Sequence, residues 1–80
     1  MTSDLDAFCE LLFEASNEDR LQILSLLNEE PMTLTMLSKR VGIGTQETSR
    51  HVMRLTESRT IKREPDGLNH ITPYGARALA

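Results

Sequence analysis

Cysteine occurs once and tryptophan not at all in this chain of 80 residues, and proline only three times. The lone thiol, Cys9, forbids an internal disulfide and fits a reducing compartment, where its expected place is in the apolar packing of a first helix. Nowhere do apolar residues approach the roughly 20 in a row that span a bilayer. The opening Met1-Thr2-Ser3-Asp4-Leu5-Asp6 is acidic and lacks the basic segment of a secretory signal, so a cytoplasmic location with no membrane partner is expected. Catalytic constellations are missing too. No nucleophile, base and orienting group stand together, and Gly42-x-Gly44 follows no strand in the manner of a phosphate loop, so neither an enzyme nor a cofactor is expected. Cys9, His51 and His70 are scattered without ligand spacing, which argues against a metal. His51 reads instead as a boundary residue beside an apolar stripe.

What remains is an ordinary globular composition, 39% hydrophobic and 26% charged, in a single domain spanning residues 1–80. A domain of this size buries roughly 60% of its unfolded surface and has no room for a deep cleft. The net charge of −3 hides a segregation. Residues 1–38 hold one base against eight acids, and residues 64–80 hold Arg77 against Glu64 and Asp66. Between them, Lys39, Arg40, Arg50, Arg54, Arg59, Lys62 and Arg63 face only Glu47 and Glu57, a local charge of +5. Phosphate attraction follows the local field, so the middle of the chain attracts DNA while the acidic remainder repels it.

A pass along the chain predicts mostly helix. A first helix over about 4–15 carries Leu5, Phe8, Cys9, Leu12 and Phe13 as its apolar stripe. Ser16 caps a second, running to about Glu29, in which Leu21, Ile23, Leu24, Leu26 and Leu27 cover so much circumference that it becomes the central element. Pro31 stops it, and Met32-Thr33-Leu34 forms a short extended piece. A third helix starts with Thr35 as N-cap, shows Lys39 and Arg40 on its exposed side and ends at Gly42, placed for a left-handed cap. Only Gly42-Ile43-Gly44 precede the fourth helix, capped by Gly44 or Thr45 and ending near Ser58. So short a connection makes a helix-turn-helix. Pro65-Asp66-Gly67 then turns a hairpin that pairs Ile61 with Ile71 and Lys62 with His70, with Met32 to Leu34 as third strand. Thr72-Pro73 opens a last helix of under two turns, which suggests a chain cut from a longer one.

The fourth helix has two faces. Thr48, Val52 and Leu55 stack at i, i+4 and i+7 as a packed stripe. Opposite stand Gln46, Arg50 and Met53, flanked by Ser49 and Arg54: an amide, a guanidinium, a thioether and a hydroxyl, groups that bond or brush base edges. The run Thr45-Gln46-Glu47-Thr48-Ser49-Arg50-His51-Val52 resembles the recognition-helix signature of ArsR-like and MarR-like winged helix-turn-helix transcriptional regulators. Together with the segments from Leu12 to Leu21 and from His70 to Gly75, it is similar to the N-terminal domain of archaeal two-domain regulators.

The resemblance implies a mainly α fold with a small β-hairpin wing, in the order α-α-β-α-α-β-β-α. It also implies sequence-specific binding of double-stranded DNA. Gln46, Ser49 and Arg50 would enter the major groove with Thr45 and Met53 beside them, Arg54, Lys39 and Arg40 would lie near phosphates, and Lys62 and Arg63 would belong to the wing. The wing tip at Asp66 is acidic where many wings are basic. Glu47 is open to two readings, accepting from cytosine or holding Arg50 and Arg54, the second favoured. The metal-sensing branch of the ArsR-like regulators carries a cysteine pair on the helix before recognition, and Met36-Leu37-Ser38-Lys39-Arg40 has none. A homodimer through the first helix or through a further C-terminal domain is expected. The alternative is a winged-helix module that docks proteins of the transcription machinery.

Overall fold

The computed structural model describes residues 18–79. Their elements run α1 (Glu18–Glu29), α2 (Leu34–Val41), α3 (Thr45–Glu57), β1 (Ile61–Arg63), β2 (Asn69–Ile71) and α4 (Pro73–Ala78). The expected first helix over 4–15, its Cys9, the phenylalanine dimer seam and the Ser16 cap lie outside the described residues.

The core is built from Ile23, Leu24 and Leu27 of α1, Met32, Leu37 of α2, Leu55 of α3 and Ile61 of β1, all buried. Leu26, Val41, Val52, Ile71 and Leu79 pack around it. Truncating a fully buried leucine such as Leu37 or Leu55 to alanine removes about 2–5 kcal/mol of stability. On α1 the five apolar residues expected to cover the helix are not all in the core. With about 100° between residues, Arg20, Ile23, Leu24 and Leu27 share one arc, and Leu21 and Leu26 fall about 110° to either side of its centre. Leu21 is accordingly 39% exposed and Leu26 half-buried, while Arg20 is itself buried.

The third strand contracts to a single bridge. Met32 donates its N–H to the Asn69 carbonyl at 3.3 Å and accepts from Asn69 N–H at 2.8 Å, and no further residue of its segment joins the sheet. The Asn69 side-chain amide donates to the same Met32 carbonyl at 3.2 Å. This bridge also moves the start of α2. The residue directly after the bridged Met32 is held extended, so Thr33, at φ −77° and ψ 166°, is the N-cap and takes the Met36 N–H at 3.2 Å. Thr35, expected as the cap, lies exposed in the first turn.

The hairpin has the expected register, Ile61 opposite Ile71, Lys62 opposite His70 and Arg63 opposite Asn69. Its turn closes through Glu64 N–H to the Leu68 carbonyl at 3.0 Å and Gly67 N–H to the Glu64 carbonyl at 2.9 Å, with Gly67 at φ 87°. Asp66 accepts the Leu68 N–H at 2.9 Å, the local bond that suits aspartate to turns. Thr72 caps α4 by accepting the Gly75 N–H at 3.0 Å, with Pro73 at the first helical position. The short helix is stabilised by docking against α1 and β2.

Candidate nucleic-acid interface

The turn between α2 and α3 follows from two glycines with different duties. Gly42 is left-handed at φ 83°, a conformation that favours glycine, and its N–H bonds the Ser38 carbonyl at 2.9 Å. Ser38 closes the turn from the other side, donating its hydroxyl to the Ile43 carbonyl at 2.6 Å. Gly44 precedes α3 in an extended conformation, and its carbonyl accepts both the N–H of Thr48 at 2.9 Å and its hydroxyl at 2.8 Å. Thr48 is fully buried. The inner stripe is thus fixed by a polar anchor, Thr48, as well as by Leu55 and the half-buried Val52.

Fixing that stripe turns the opposite one outward. Thr45, Gln46, Arg50, Met53 and Arg54 are exposed, Met53 at 58%, while Ser49 is half-buried at the flank. Gly44 offers no side chain to cap α3. The first-turn N–H groups, which have no partner within a helix, therefore stay available to an anion such as a phosphate oxygen. Lys39 and Arg40 stand exposed in the last turn of α2, where cations are favoured by the helix dipole. Among the described residues, no ion pair engages Lys39, Arg40, Arg50 or Arg63.

The far end of α3 carries a cation the residue pattern did not single out. Thr60 N–H bonds the Leu55 carbonyl and Arg59 N–H the Thr56 carbonyl, each at 3.0 Å, the paired bonds of a Schellman ending. Arg59 occupies the left-handed position at φ 64°, usually given to glycine. The Leu55 carbonyl also accepts the hydroxyls of Ser58 at 3.0 Å and Thr60 at 2.9 Å. Arg59 joins Thr56, Ile61, Lys62, Arg63 and Thr72 around a shallow groove of about 380 Å³ between α3 and the hairpin. Its only signal in the sequence was its place in the basic segment. Lys62 reaches Glu64 at 3.6 Å, an exposed pair worth at most about 1 kcal/mol and easily exchanged for a phosphate.

Glu47 has a partner that the helical spacing did not single out. Its carboxylate lies 3.7 Å from His51 Nε2, one turn on, and Asp19 of α1 approaches the same nitrogen at 3.8 Å. No ion pair joins Glu47 to Arg50. His51 is a boundary residue, as expected, with a side chain 12% exposed.

A helix-turn-helix followed by a two-stranded hairpin defines the winged helix-turn-helix fold, and the chain has it. Among solved structures, it superposes on the homodimeric winged helix-turn-helix DNA-binding domain of a possible ArsR-family transcriptional regulator from Mycobacterium bovis with a TM-score of 0.85, at 20% identity, over 98% of this chain and 75% of that one. HlyU from Vibrio cholerae matches with a TM-score of 0.81 at 23% identity, over 99% of this chain and 89% of that one. In sequence, the chain is 30% identical over 69 residues to the HTH-type transcriptional regulator TcaR of Staphylococcus aureus, a match over 86% of this chain. The chain spans 42% of the length of that relative. No family model matches.

Proposed function

We propose that this chain is the DNA-binding domain of a transcriptional regulator, which seats α3 in the major groove of double-stranded DNA and sets the β1–β2 hairpin beside it as a wing. The observation that carries this reading is the division of α3: Thr48 and Leu55 are locked in the core, and Gln46, Arg50, Met53 and Arg54 are thereby presented to solvent within the basic segment. Arg50 reads guanine, Gln46 reads adenine, Met53 contacts a thymine methyl, and Ser49 and Thr45 support them from the flank. Lys39, Arg40, Arg54, Lys62 and Arg63 contact phosphates and fix register. The likeness to a regulator from Staphylococcus aureus and to a homodimeric DNA-binding domain from Mycobacterium bovis supports both the reading and a paired arrangement. Two copies would present their α3 helices to successive major grooves about 34 Å apart, on a near-palindromic operator in the cytoplasm.

Selection of bound sites from a random duplex pool, followed by titration of the selected site, tests the proposal. Arg50→Ala should weaken the selected site by about 1–3 kcal/mol and relax its sequence preference, whereas Lys62→Ala should weaken all sequences alike. Five phosphate contacts per copy predict a slope of log affinity against log salt of about −4.5 for one copy and about −9 for a pair. A slope near zero would point to a protein-docking module instead.

A further inference from the structure

We infer that Asp19, Glu47 and His51 form a binding site for a divalent transition-metal ion of the zinc class. The site comes from two helices. Glu47 and His51 stand one turn apart on α3, and Asp19, in the first turn of α1, is brought against them by the packing of the two helices. One ligand atom from each lies within 4.8 Å of the others.

The spacings favour a shared ion over hydrogen bonds. His51 Nε2 is 3.7 Å from Glu47 Oε2 and 3.8 Å from Asp19 Oδ2, too long for direct N–H···O bonds. Zinc bonds of about 2.0–2.2 Å at the tetrahedral angle put neighbouring ligand atoms about 3.4 Å apart, so small rotations of two partly exposed carboxylates complete the geometry. Right-angled octahedral ligation at similar bond lengths needs about 3.0 Å and fits less well. The imidazole adds an independent reason. Both His51 ring nitrogens are shielded from solvent and bond to nothing, a state that buried polar atoms rarely keep. A metal on Nε2 gives one of the two a partner. An imidazole with two carboxylates is a ligand set suited to zinc, cobalt or nickel rather than to a soft cuprous ion.

Burial sets what the site can do. His51 closes the inner side at 12% exposed, while Asp19 at 35% and Glu47 at 54% leave the outer side to solvent, so three protein ligands and one water make an exchangeable site. Occupancy ties the first half of α3 to α1 and offsets two carboxylates, of which Glu47 adjoins Gln46 in the chain. On the DNA-binding reading proposed above, on which this consequence alone rests, metal strengthens DNA binding.

The test is a titration of the metal-stripped full chain without DNA, so that its failure leaves the DNA-binding reading untouched. A Cys9→Ser background removes the competing thiol. Cobalt(II) should give the intense visible absorption of tetrahedral coordination at one ion per chain, zinc should displace it, and His51→Gln and Asp19→Asn should each weaken zinc binding at least about tenfold. Melting curves without metal check that both variants fold, and Asp19→Asn, on a partly exposed side chain, serves if His51→Gln does not. Absence of the cobalt spectrum, a different stoichiometry, or unchanged zinc affinity in a folded variant overturns the site.

Discussion

Gly75 sits where two expectations have opposite signs. It lies inside α4 without a positive φ, so alanine there should add about 1 kcal/mol through helix propensity. Packing says otherwise. A Cβ at Gly75 would press into the Thr60 carbonyl oxygen, 2.9 Å from the carbonyl carbon and 3.0 Å from Ile71 Cγ1. The first two are backbone atoms, and that carbonyl also accepts the Thr72 N–H at 3.0 Å. Relieving the clash means moving α4 off the hairpin by about 1 Å. The move strains the overpacked contact by about 1–3 kcal/mol and loosens a hydrogen bond worth about 1 kcal/mol. Net of propensity, Gly75→Ala should destabilise the domain by about 1–3 kcal/mol. At about 4–8 °C per kcal/mol for a domain of this size, the melting midpoint should fall by about 5–20 °C by circular dichroism. A midpoint equal to or above that of the unchanged chain would refute the close approach of α4 to the α3–β1 link.

Three further outcomes are expected. Arg59→Gly should raise the melting midpoint by relieving a left-handed arginine, about 1 kcal/mol, while weakening duplex affinity slightly at low salt, because one cation leaves the field of the groove beside the wing. Gly44→Asp should separate stability from binding in the same way: a Cβ meets open space there and aspartate caps α3, adding a few tenths of a kcal/mol, yet the carboxylate occupies the N–H groups a phosphate would use, so duplex affinity drops in a gel-shift titration. Thr48→Val keeps the volume but removes the hydroxyl bond to Gly44, and chemical denaturation should register a loss of about 1 kcal/mol.

Local chemistry made much of the fold legible and left particular contacts hidden. The hairpin register could be read because Pro65-Asp66-Gly67 fixes the turn and side chains alternate with a period of two, so one loop decides every pair. The inner stripe of α3 could be read for the same reason, periodicity with an apolar face to bury. The cap of α2 could not be. Thr33 and Thr35 are equally good caps, and the choice between them is made by Asn69, 37 residues beyond Met32. Arg59 was counted as charge and missed as the residue that ends α3, since glycine is the usual signal there. The approach of Asp19 to His51 has no spacing to betray it, because ligands contributed by separate helices meet only once those helices pack. Leu21 shows the converse limit: hydrophobicity marked it for the core, and its angular position on α1 sent it to the surface.

The short link between α3 and the hairpin has a mechanical consequence. Thr60 is tied back to Leu55 through both its N–H and its hydroxyl, and Thr72 grips the link from the far side, donating its hydroxyl to the Arg59 carbonyl at 2.7 Å and its N–H to Thr60. α3 and the hairpin are therefore held as one rigid tool with a preset span. Such a tool cannot adjust to variations in groove width, so on the DNA-binding reading it is the duplex that must bend or narrow to meet both parts. Flexible pyrimidine–purine steps at base pairs the protein never touches should then be favoured as strongly as some that it does.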